Sequence, residues 1–412
     1  MVLIRNDGLT KPNLPNQYCG NEIEYTTYKV MLCPNNKQRT KLHQAAGVSR
    51  FVYNWTISYQ KQSYESDGKF ISDKDVRKRL TQLKTTDEYC WLNNYSNNIA
   101  KQSVKDACNA YRNFFDGLCK YPRFKSKKSS HQSFYVDTAK IKITETHVKL
   151  EKLTNSRKPN RQKMNWVKLA EKNRIPVGVQ YCNPRVTFDG LRWWLSVSVA
   201  KEIPQTTPTG DGVGIDLGIK TFAYCSDGSI YKNINKTAKV RKICLRKKKL
   251  QRVISKKYQK NKKGGSYCKT CNIKKAERRL SKLTRKVKNI RHNYLHQVTN
   301  DIINRKPMFV VLEKLSVKDM MKNPYFAKII HEQCFNLFYR MMEYKCRWNN
   351  VEFVIADPHF PSSKMCCRCG YIKHDLKLSE RVYVCPACNN MIDRDFQASI
   401  NLKNYRGFSA EY

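Results

Sequence analysis

The sequence predicts an α/β multidomain protein. Its C-terminal half reads as an RNase H-like mixed sheet with an inserted zinc ribbon, and its N-terminal half as a β-rich segment with an inserted helical block. Three observations lead there. Hairpin-linked apolar strands at 213–233 are followed by strand and helix units to the C-terminus, the element order of a mixed sheet covered by helices. Two Cys-x-x-Cys pairs, Cys366/Cys369 and Cys385/Cys388, lie just before the last helical stretch. In the first half, three-to-four-residue periodicity gives way near Ser133 to strict alternation.

Residues 1–21 are polar, carry Pro12 and Pro15, and read as a disordered extension. Residues 22–33 alternate like a strand. From Asn36, Leu42, Ala45, Val48, Val52 and Trp55 share one helical face. Ser72 caps a second helix. A third helix near 99–118 should turn Val104, Cys108, Tyr111 and Phe115 inward before Tyr121-Pro-Arg-Phe124 breaks it. Strands follow at 134–136, 141–143 and 148–150, and Asp189-Gly190 closes a hairpin between 185–188 and 191–199. The strand at 22–33 belongs with this sheet, so the helical block is an insertion. The Pro-, Thr- and Gly-rich stretch to Gly212 is a linker.

In the C-terminal half we expect strands at 213–217, 220–225 and 229–233, with a turn at Asp227-Gly228. Strands at 308–313 and 351–356 should be separated by a helix over about 330–348, and a final helix should follow Asp395. Between Lys232 and Arg291 lie 25 Lys and Arg against one acid, Glu277. This is no solvating tail, because Ile273, Ala276, Leu280, Leu283, Val287, Ile290, Leu295, Val298 and Ile302 recur at helical steps. An apolar stripe under a basic face is a structured helix offering cations to a phosphate backbone.

The whole chain has 79 Lys and Arg against 33 Asp and Glu, a formal charge of +46 over 412 residues. A bound duplex of ~20 base pairs presents roughly 40 phosphates, so the partner expected is polyanionic. No apolar run approaches the roughly 18 residues of a membrane span, and the N-terminus lacks a signal-peptide core. The 17 cysteines, an odd number mostly scattered in apolar stretches, fit reduced thiols inside a cell rather than a disulfide framework.

Three carboxylates occupy positions where chemistry is expected. Asp216 lies in Val213-Gly-Ile-Asp-Leu-Gly-Ile-Lys220, Glu313 ends the apolar run from Met308, and Asp395 opens the last helix. Acids at the ends of core elements, gathered from distant parts of a chain, suit a pair of Mg²⁺ ions against a phosphodiester and point to a nuclease. Asp393 competes as the third ligand. Four thiolates in two knuckles suit one structural Zn²⁺, with Gly370 and Asn389 tolerating the tight turn after each pair. Cys367 has the wrong spacing and is left out. Cys268-x-x-Cys271 has no partner pair, and its metal binding is undecided. The glycines at 212, 214 and 218 do not form a nucleotide-binding fingerprint; they allow close backbone approach. Trp193 and Trp194 suit packing better than base stacking.

At these residues the chain resembles TnpB, the transposon-encoded RNA-guided DNA nuclease related to type V CRISPR effectors, and its counterpart Fanzor. The resemblance rests on Gly214-Ile-Asp-Leu-Gly-Ile-Lys220, Leu312-Glu-Lys-Leu315, Phe360-Pro-Ser-Ser-Lys-Met-Cys-Cys-Arg-Cys-Gly370, Cys385-Pro-Ala-Cys388, Asp393-Arg-Asp395 and Phe51-Val-Tyr-Asn54. It spans nearly the whole chain from about residue 25. It implies a wedge β-barrel at 22–39 and 123–204 with a helical recognition lobe at 40–122 inserted, and a linker at 205–212. It further implies a RuvC-like nuclease at 213–363 and 391–412, with 232–306 a basic helical insertion and 364–390 a target-binding zinc ribbon. By motif match Asp216, Glu313 and Asp395 carry catalysis and hold two Mg²⁺, and Cys366, Cys369, Cys385 and Cys388 hold one Zn²⁺. The implied partners are a transposon-end guide RNA and double-stranded target DNA, in a monomeric ribonucleoprotein. That particle would sit in the cytoplasm or nucleoid of a bacterium, or in a nucleus or viral factory. The family's Asn two residues after the third acid is Gln397 here, while Asn401 is kept. Two other functions stay open at this stage: a catalytically silent RNA-guided DNA-binding repressor, and a guide-independent RNase H-like nuclease or transposase.

Overall fold

In the computed structural model the described residues are 23–127, 131–154, 158, 162–202, 207–377 and 379–409. The extension read as disordered, residues 1–21, lies outside them, as do positions 205 and 206 of the linker. The chain divides into two compact units, one ending at Glu202 and the other following it.

The first unit is a seven-stranded sheet carrying three helices. Its strands are β1 (Ile23–Cys33), β2 (Gln132–Tyr135), β3 (Lys142–Ile143), β4 (His147–Lys149), β5 (Trp166–Leu169), β6 (Tyr181–Phe188) and β7 (Trp193–Glu202), in the order β2-β6-β7-β1-β5-β4-β3. All pairs are antiparallel, and β1 runs against β7 from Ile23↔Glu202 to Leu32↔Trp193. Trp193, Leu195, Val197 and Val199 of β7 are buried at every second position, as alternation across a pleated strand requires. Pro184 supplies no amide to the ladder, and the β6–β7 register shifts between Cys182 and Arg185 around it, the bulge a strand proline demands. The Asp189-Gly190 turn forms as expected, with Gly190 at φ 85° and Asp189 Oδ1 accepting from the amides of Leu191 and Arg192.

Helices α1 (Asn36–Asp67), α2 (Asp73–Leu83) and α3 (Asn97–Phe115) form the block between β1 and β2. A capping box starts α1, where Asn35 Oδ1 accepts from Gln38 N at 2.8 Å and Gln38 Oε1 accepts from Asn35 N at 3.0 Å, each bond satisfying an otherwise orphaned donor. Leu42, Ala45, Val48 and Val52 are buried as one stripe, with Trp55 packed at its edge. The expectation for Phe115 fails. It ends α3, just before Gly117 at φ 69°, and is 52% exposed, because the helix stops before the stripe can bring it over the core. Arg185 of β6 grips Asp106 of α3 through two 2.9 Å bonds, a fork geometry that fixes orientation.

The second unit is built on a five-stranded mixed sheet in the order β10-β9-β8-β13-β14. Its strands are β8 (Val213–Leu217), β9 (Thr221–Cys225), β10 (Ile230–Lys232), β13 (Phe309–Glu313) and β14 (Glu352–Ala356). The first three form antiparallel hairpins; β13 then pairs parallel to β8 and β14 parallel to β13. Between β10 and β13 runs the basic arm, α4 (Ala238–Lys260) and α5 (Cys271–Asn304), joined by a two-stranded ribbon, β11 (Lys262–Lys263) and β12 (Ser266–Tyr267). The predicted stripe faces inward: Ile273, Ala276, Val287, Leu295, Val298 and Ile302 are buried, and Leu283 and Ile290 pack with Val240 and Ile243 of α4. The predicted helix at 330–348 is in fact two, α7 (Pro324–Gln333) and α8 (Phe335–Trp348), preceded by a short α6 (Val317–Met320). The break is Cys334, held at φ 59°, a left-handed conformation that a sequence signals only when glycine or asparagine stands there. Strands β15 (Val382–Val384) and β16 (Met391–Asp393) form a small ribbon that leads into α9 (Arg394–Ser409).

Candidate active site and metal centre

β8 is the central strand of the five, and Asp216 lies near its carboxyl end. The parallel register pairs Ile215 with Leu312, so Asp216 and Glu313, each one residue further on, leave adjacent strands side by side. Neighbouring strands lie about 4.8 Å apart. The third acid arrives on α9, and glycine makes its approach possible. A Cβ on Gly214 would lie 2.1 Å from the Ser399 carbonyl oxygen and 2.2 Å from the Lys403 amide. Helix backbone therefore rests directly on β8 two residues before Asp216. Ser399 lies one helical turn after Asp395, on the same face.

The electrostatics tie the three together. Burial first, and then the charges of Glu313 and Asp395, push Asp216 up to about 8 against the opposing charge of Arg394. Burial also raises Glu313. Asp395 is raised by burial too, against the pull of Arg381, whose guanidinium lies 3.8 Å away, and of Lys220. Like charges gathered in a partly desolvated place hold protons unless a cation replaces them. Asp393 has another task. Its Oδ1 accepts from the amides of Asp395 and Phe396, both at 3.0 Å, and so caps α9 as a helix N-terminus requires. That occupation favours Asp395 over Asp393 as the third acid of the group.

Of the other neighbours, Tyr339 carried no signal in the sequence, whereas Gln397 and Asn401 were marked by the resemblance. Tyr339 of α8 donates to the Glu313 carbonyl and accepts from the Leu315 amide, fixing the chain as it leaves β13. Asn401 donates to the carbonyls of Ser362 at 2.7 Å and Met365 at 2.6 Å, so it anchors the entry to the first knuckle. Gln397 lies on the same face one turn earlier, fully buried, and its amide has no partner among the described residues.

The four cysteines converge. The sulfurs of Cys366, Cys369, Cys385 and Cys388 all lie within 4.8 Å of one another, with Cys366–Cys388 at 3.7 Å and Cys369–Cys385 at 3.5 Å. Tetrahedral Zn–S bonds of about 2.3 Å place sulfurs about 3.8 Å apart, so the donor set fits zinc. Gly370 at φ 75° and Asn389 at φ 52° turn each knuckle as expected, and their amides return to the carbonyls of Cys366 and Cys385. At Cys366 burial opposes the thiolate, but amides of Cys369 and Arg368 and the neighbouring thiols outweigh it and bring the group down to about 6. Cys367 stays outside the group. Cys268 and Cys271, at the tip of the basic arm, are both exposed, and among the described residues no third metal-binding side chain joins them.

Among the described residues no helix is long and apolar enough to cross a membrane. The central acid-bearing strand, its antiparallel and parallel neighbours and the ribbon before the last helix define a mixed α/β fold. The Cas12f1 chain of a Cas12f1–sgRNA–target DNA complex has the same fold, with a TM-score of 0.56, 15% identity, and coverage of 90% of this chain and 83% of that one.

Three family models match: "Probable transposase" over 195–324, "Cas12f1-like, TNB domain" over 335–402, and "Helix-turn-helix domain" over 25–69. The last covers one strand and one continuous 32-residue helix here. A Streptomyces pristinaespiralis protein named "Putative RNA-guided DNA endonuclease" is 28% identical, over 91% of this chain and 88% of that protein. An Escherichia coli K12 protein, "Putative RNA-guided DNA endonuclease InsQ", is 25% identical over 91% and 90%. These matches are of the kind the TnpB resemblance implies: a transposase model, a Cas12f1-like domain model and relatives named as RNA-guided endonucleases.

Proposed function

We propose that this protein is an RNA-guided DNA endonuclease of a transposable element, cutting double-stranded DNA with Asp216, Glu313 and Asp395. The observation that carries this reading is the register that sets Asp216 beside Glu313 at adjacent strand ends, with Asp395 on the helix packed against β8. Such a set is costly to the fold unless a cation neutralises it, and an all-carboxylate donor set fits a hard divalent ion such as Mg²⁺. When bound, two such ions would activate water and stabilise the leaving oxygen. The chain's own contribution is positional. The sheet sets the spacing of Asp216 and Glu313, Tyr339 fixes the exit of β13, and the Asp393 cap sets the first turn that carries Asp395.

The other assignments follow from the family. The sheet of the first unit would be the wedge, with α1 to α3 the recognition lobe, and residues 364–390 the target-binding zinc ribbon. The +46 charge suits a chain holding a guide RNA and a guide–target duplex by their backbones, in a single-copy particle inside the cell. Flanking-motif readers are not assigned.

The test is a matched plasmid incubated with protein and guide RNA reconstituted from the neighbouring transposon end. Wild type should linearise it in Mg²⁺ and not in excess EDTA. Asp216→Ala should bind guide and target as wild type does and cut at least ~10²-fold more slowly, the order lost with a single group that stabilises the transition state. Cutting by the purified variant at the wild-type rate would remove Asp216 from the mechanism.

A further inference from the structure

Helix α7, in the segment that follows Glu313, leaves several apolar side chains exposed to solvent. Tyr325 is 85% exposed, Phe326 48% and Ile329 37%, and Met321 just before the helix is 40% exposed. Tyr325 stands clear of the buried Ile330 and Gln333, whereas Phe326 and Ile329 lie one turn before them at the margin of the packed side. Phe222, Phe335 and Phe338 of the same unit are almost wholly buried against one another, whereas Tyr325 is more exposed than Tyr267 at 52% or Tyr371 at 45%. Two neighbouring rings left in water on a structured helix call for a ligand.

The place of the helix says which ligand. At its far end Gln333 Nε2 donates to the carbonyl of Ile219 at 3.2 Å, and Asn233 Nδ2 donates to the same oxygen at 2.8 Å. Ile219 lies three residues after Asp216. At its near end the chain has just left Glu313 through Leu315, Val317 and Met320, which pack with Ile219 against the unit's core. The helix is thus bolted at one end to the loop after Asp216 and at the other to the segment after Glu313. From Tyr325 to Gln333 it runs only about 12 Å. The start is rigid as well: Pro324 occupies the first turn and Asn323 Oδ1 accepts the Tyr325 amide at 3.0 Å. Between Lys314 and Lys328 there are four lysines and one acid, Asp319, which pairs with Lys322 at 2.7 Å. Exposed rings interleaved with cations, beside a group of acids, match unpaired nucleotides: bases stack on the rings and phosphates meet the lysines.

We infer that Tyr325 and Phe326 form a stacking platform that holds the single-stranded DNA segment entering the carboxylate site. The inference rests on the nuclease reading for its purpose, but it is a statement about binding and is tested without cleavage. Stacking selects for a strand already separated from its complement, because a paired base offers no free face. The platform would therefore set both grip on the cut strand and preference for single-stranded over duplex substrate at this site.

The probe is a single-stranded oligonucleotide carrying bromodeoxyuridine, bound to the full-length Asp216→Asn protein so that the strand stays intact. Irradiation should place adducts on the tryptic peptide Asn323–Lys328, which carries both rings. In the same background, Tyr325→Ala with Phe326→Ala should remove that adduct and weaken binding about fivefold to 100-fold per ring, leaving the salt slope unchanged. Tyr325→Phe should keep both adduct and affinity, whereas Tyr325→Leu should not. Lys328→Ala should do the reverse of the ring variants and lower the salt slope by about one. Adducts confined to other peptides, or an alanine variant that binds like its parent, would overturn the platform. So would dimers of the parent that the alanine variant loses while single-strand affinity stays intact, which would assign the face to a second copy. Failure here with plasmid cutting preserved leaves the nuclease reading standing; adducts on a protein that never cuts leave the platform standing alone.

Discussion

The cysteine cluster and the carboxylate cluster are both places where the chain collects like-charged groups, and they are built in opposite ways. The four thiols come from 23 residues of sequence, in two tight turns, and form a cavity-sized knot without help from the sheet. The three acids come from positions 216, 313 and 395 and share one region only because a central strand, its parallel neighbour and a docked helix are all in place, and their oxygens do not converge as the sulfurs do. A local chelate carries its own geometry. A dispersed one borrows geometry from the fold, so any error of packing reaches it.

The comparison is broken most severely through the ribbon, where Cys385→Ser should act on both clusters. Among the described residues the ribbon's own core is Cys366, Leu376, Tyr383 and Cys385, with Cys388 and Ile392 beside it, far too little to fold without a metal. Its last strand β16 runs without a break into α9, and Arg394 bonds back to Arg381 at 2.8 Å and Lys377 at 3.0 Å. We expect the variant to lose one bound zinc by elemental analysis, to become protease-sensitive over 364–393, and to cut as poorly as a carboxylate variant. Normal cutting by a zinc-free ribbon would show the two clusters to be mechanically independent.

Gly214→Ala tests the dispersed geometry alone. The new methyl meets backbone rather than a flexible side chain, so α9 must shift. A displacement near 1 Å costs about 10²-fold in rate, and overpacking about 1–3 kcal/mol in stability. Zinc content should stay at one. A variant with wild-type cleavage would place α9 further from β8 than described.

The smallest effect is on pH dependence. An acid raised to about 8 in the folded state binds its proton more tightly there than in the unfolded chain, where it titrates near 3.9. Its contribution is therefore fully present below about pH 4 and is lost as pH rises towards 8. His292, lowered by burial to about 4, changes stability with the opposite sign over the acid part of this range, so the readout is a difference. Subtracting Asp216→Asn from wild type, urea midpoints measured from pH 5 to 8 without divalent ions should show wild type losing ground steadily, and Mg²⁺ should flatten the difference. A flat difference without metal would mean that Asp216 is solvated.

What could be read in the sequence divides along the same line as the clusters. Spacing alone exposed the knuckles and even the backbone sign at Gly370 and Asn389, because both are consequences of a few adjacent residues. Strand order put Asp216 on a central strand, since three hairpin strands followed by crossover units leave few other arrangements. The apolar stripe of α5 was equally plain. Features that depend on distant contacts were hidden. Nothing near Cys334 announces a left-handed residue, so α7 and α8 merged into one expected helix and the exposed rings of α7 went unnoticed. The four-residue β5 is too short to stand out after a polar stretch. Asp395 was preferred to Asp393 on motif alone, and the capping role of Asp393 could not be read from the sequence.

The passage from β16 into α9 has a consequence for how such a protein can age or evolve. A chain that sheds its ribbon also loses the foundation of its third acid, so blunting the blade and losing the clasp are one event rather than two. Oxidation of a single knuckle thiol would then silence cutting in a molecule whose arm, sheets and remaining acids are untouched, leaving a particle that still grips nucleic acid.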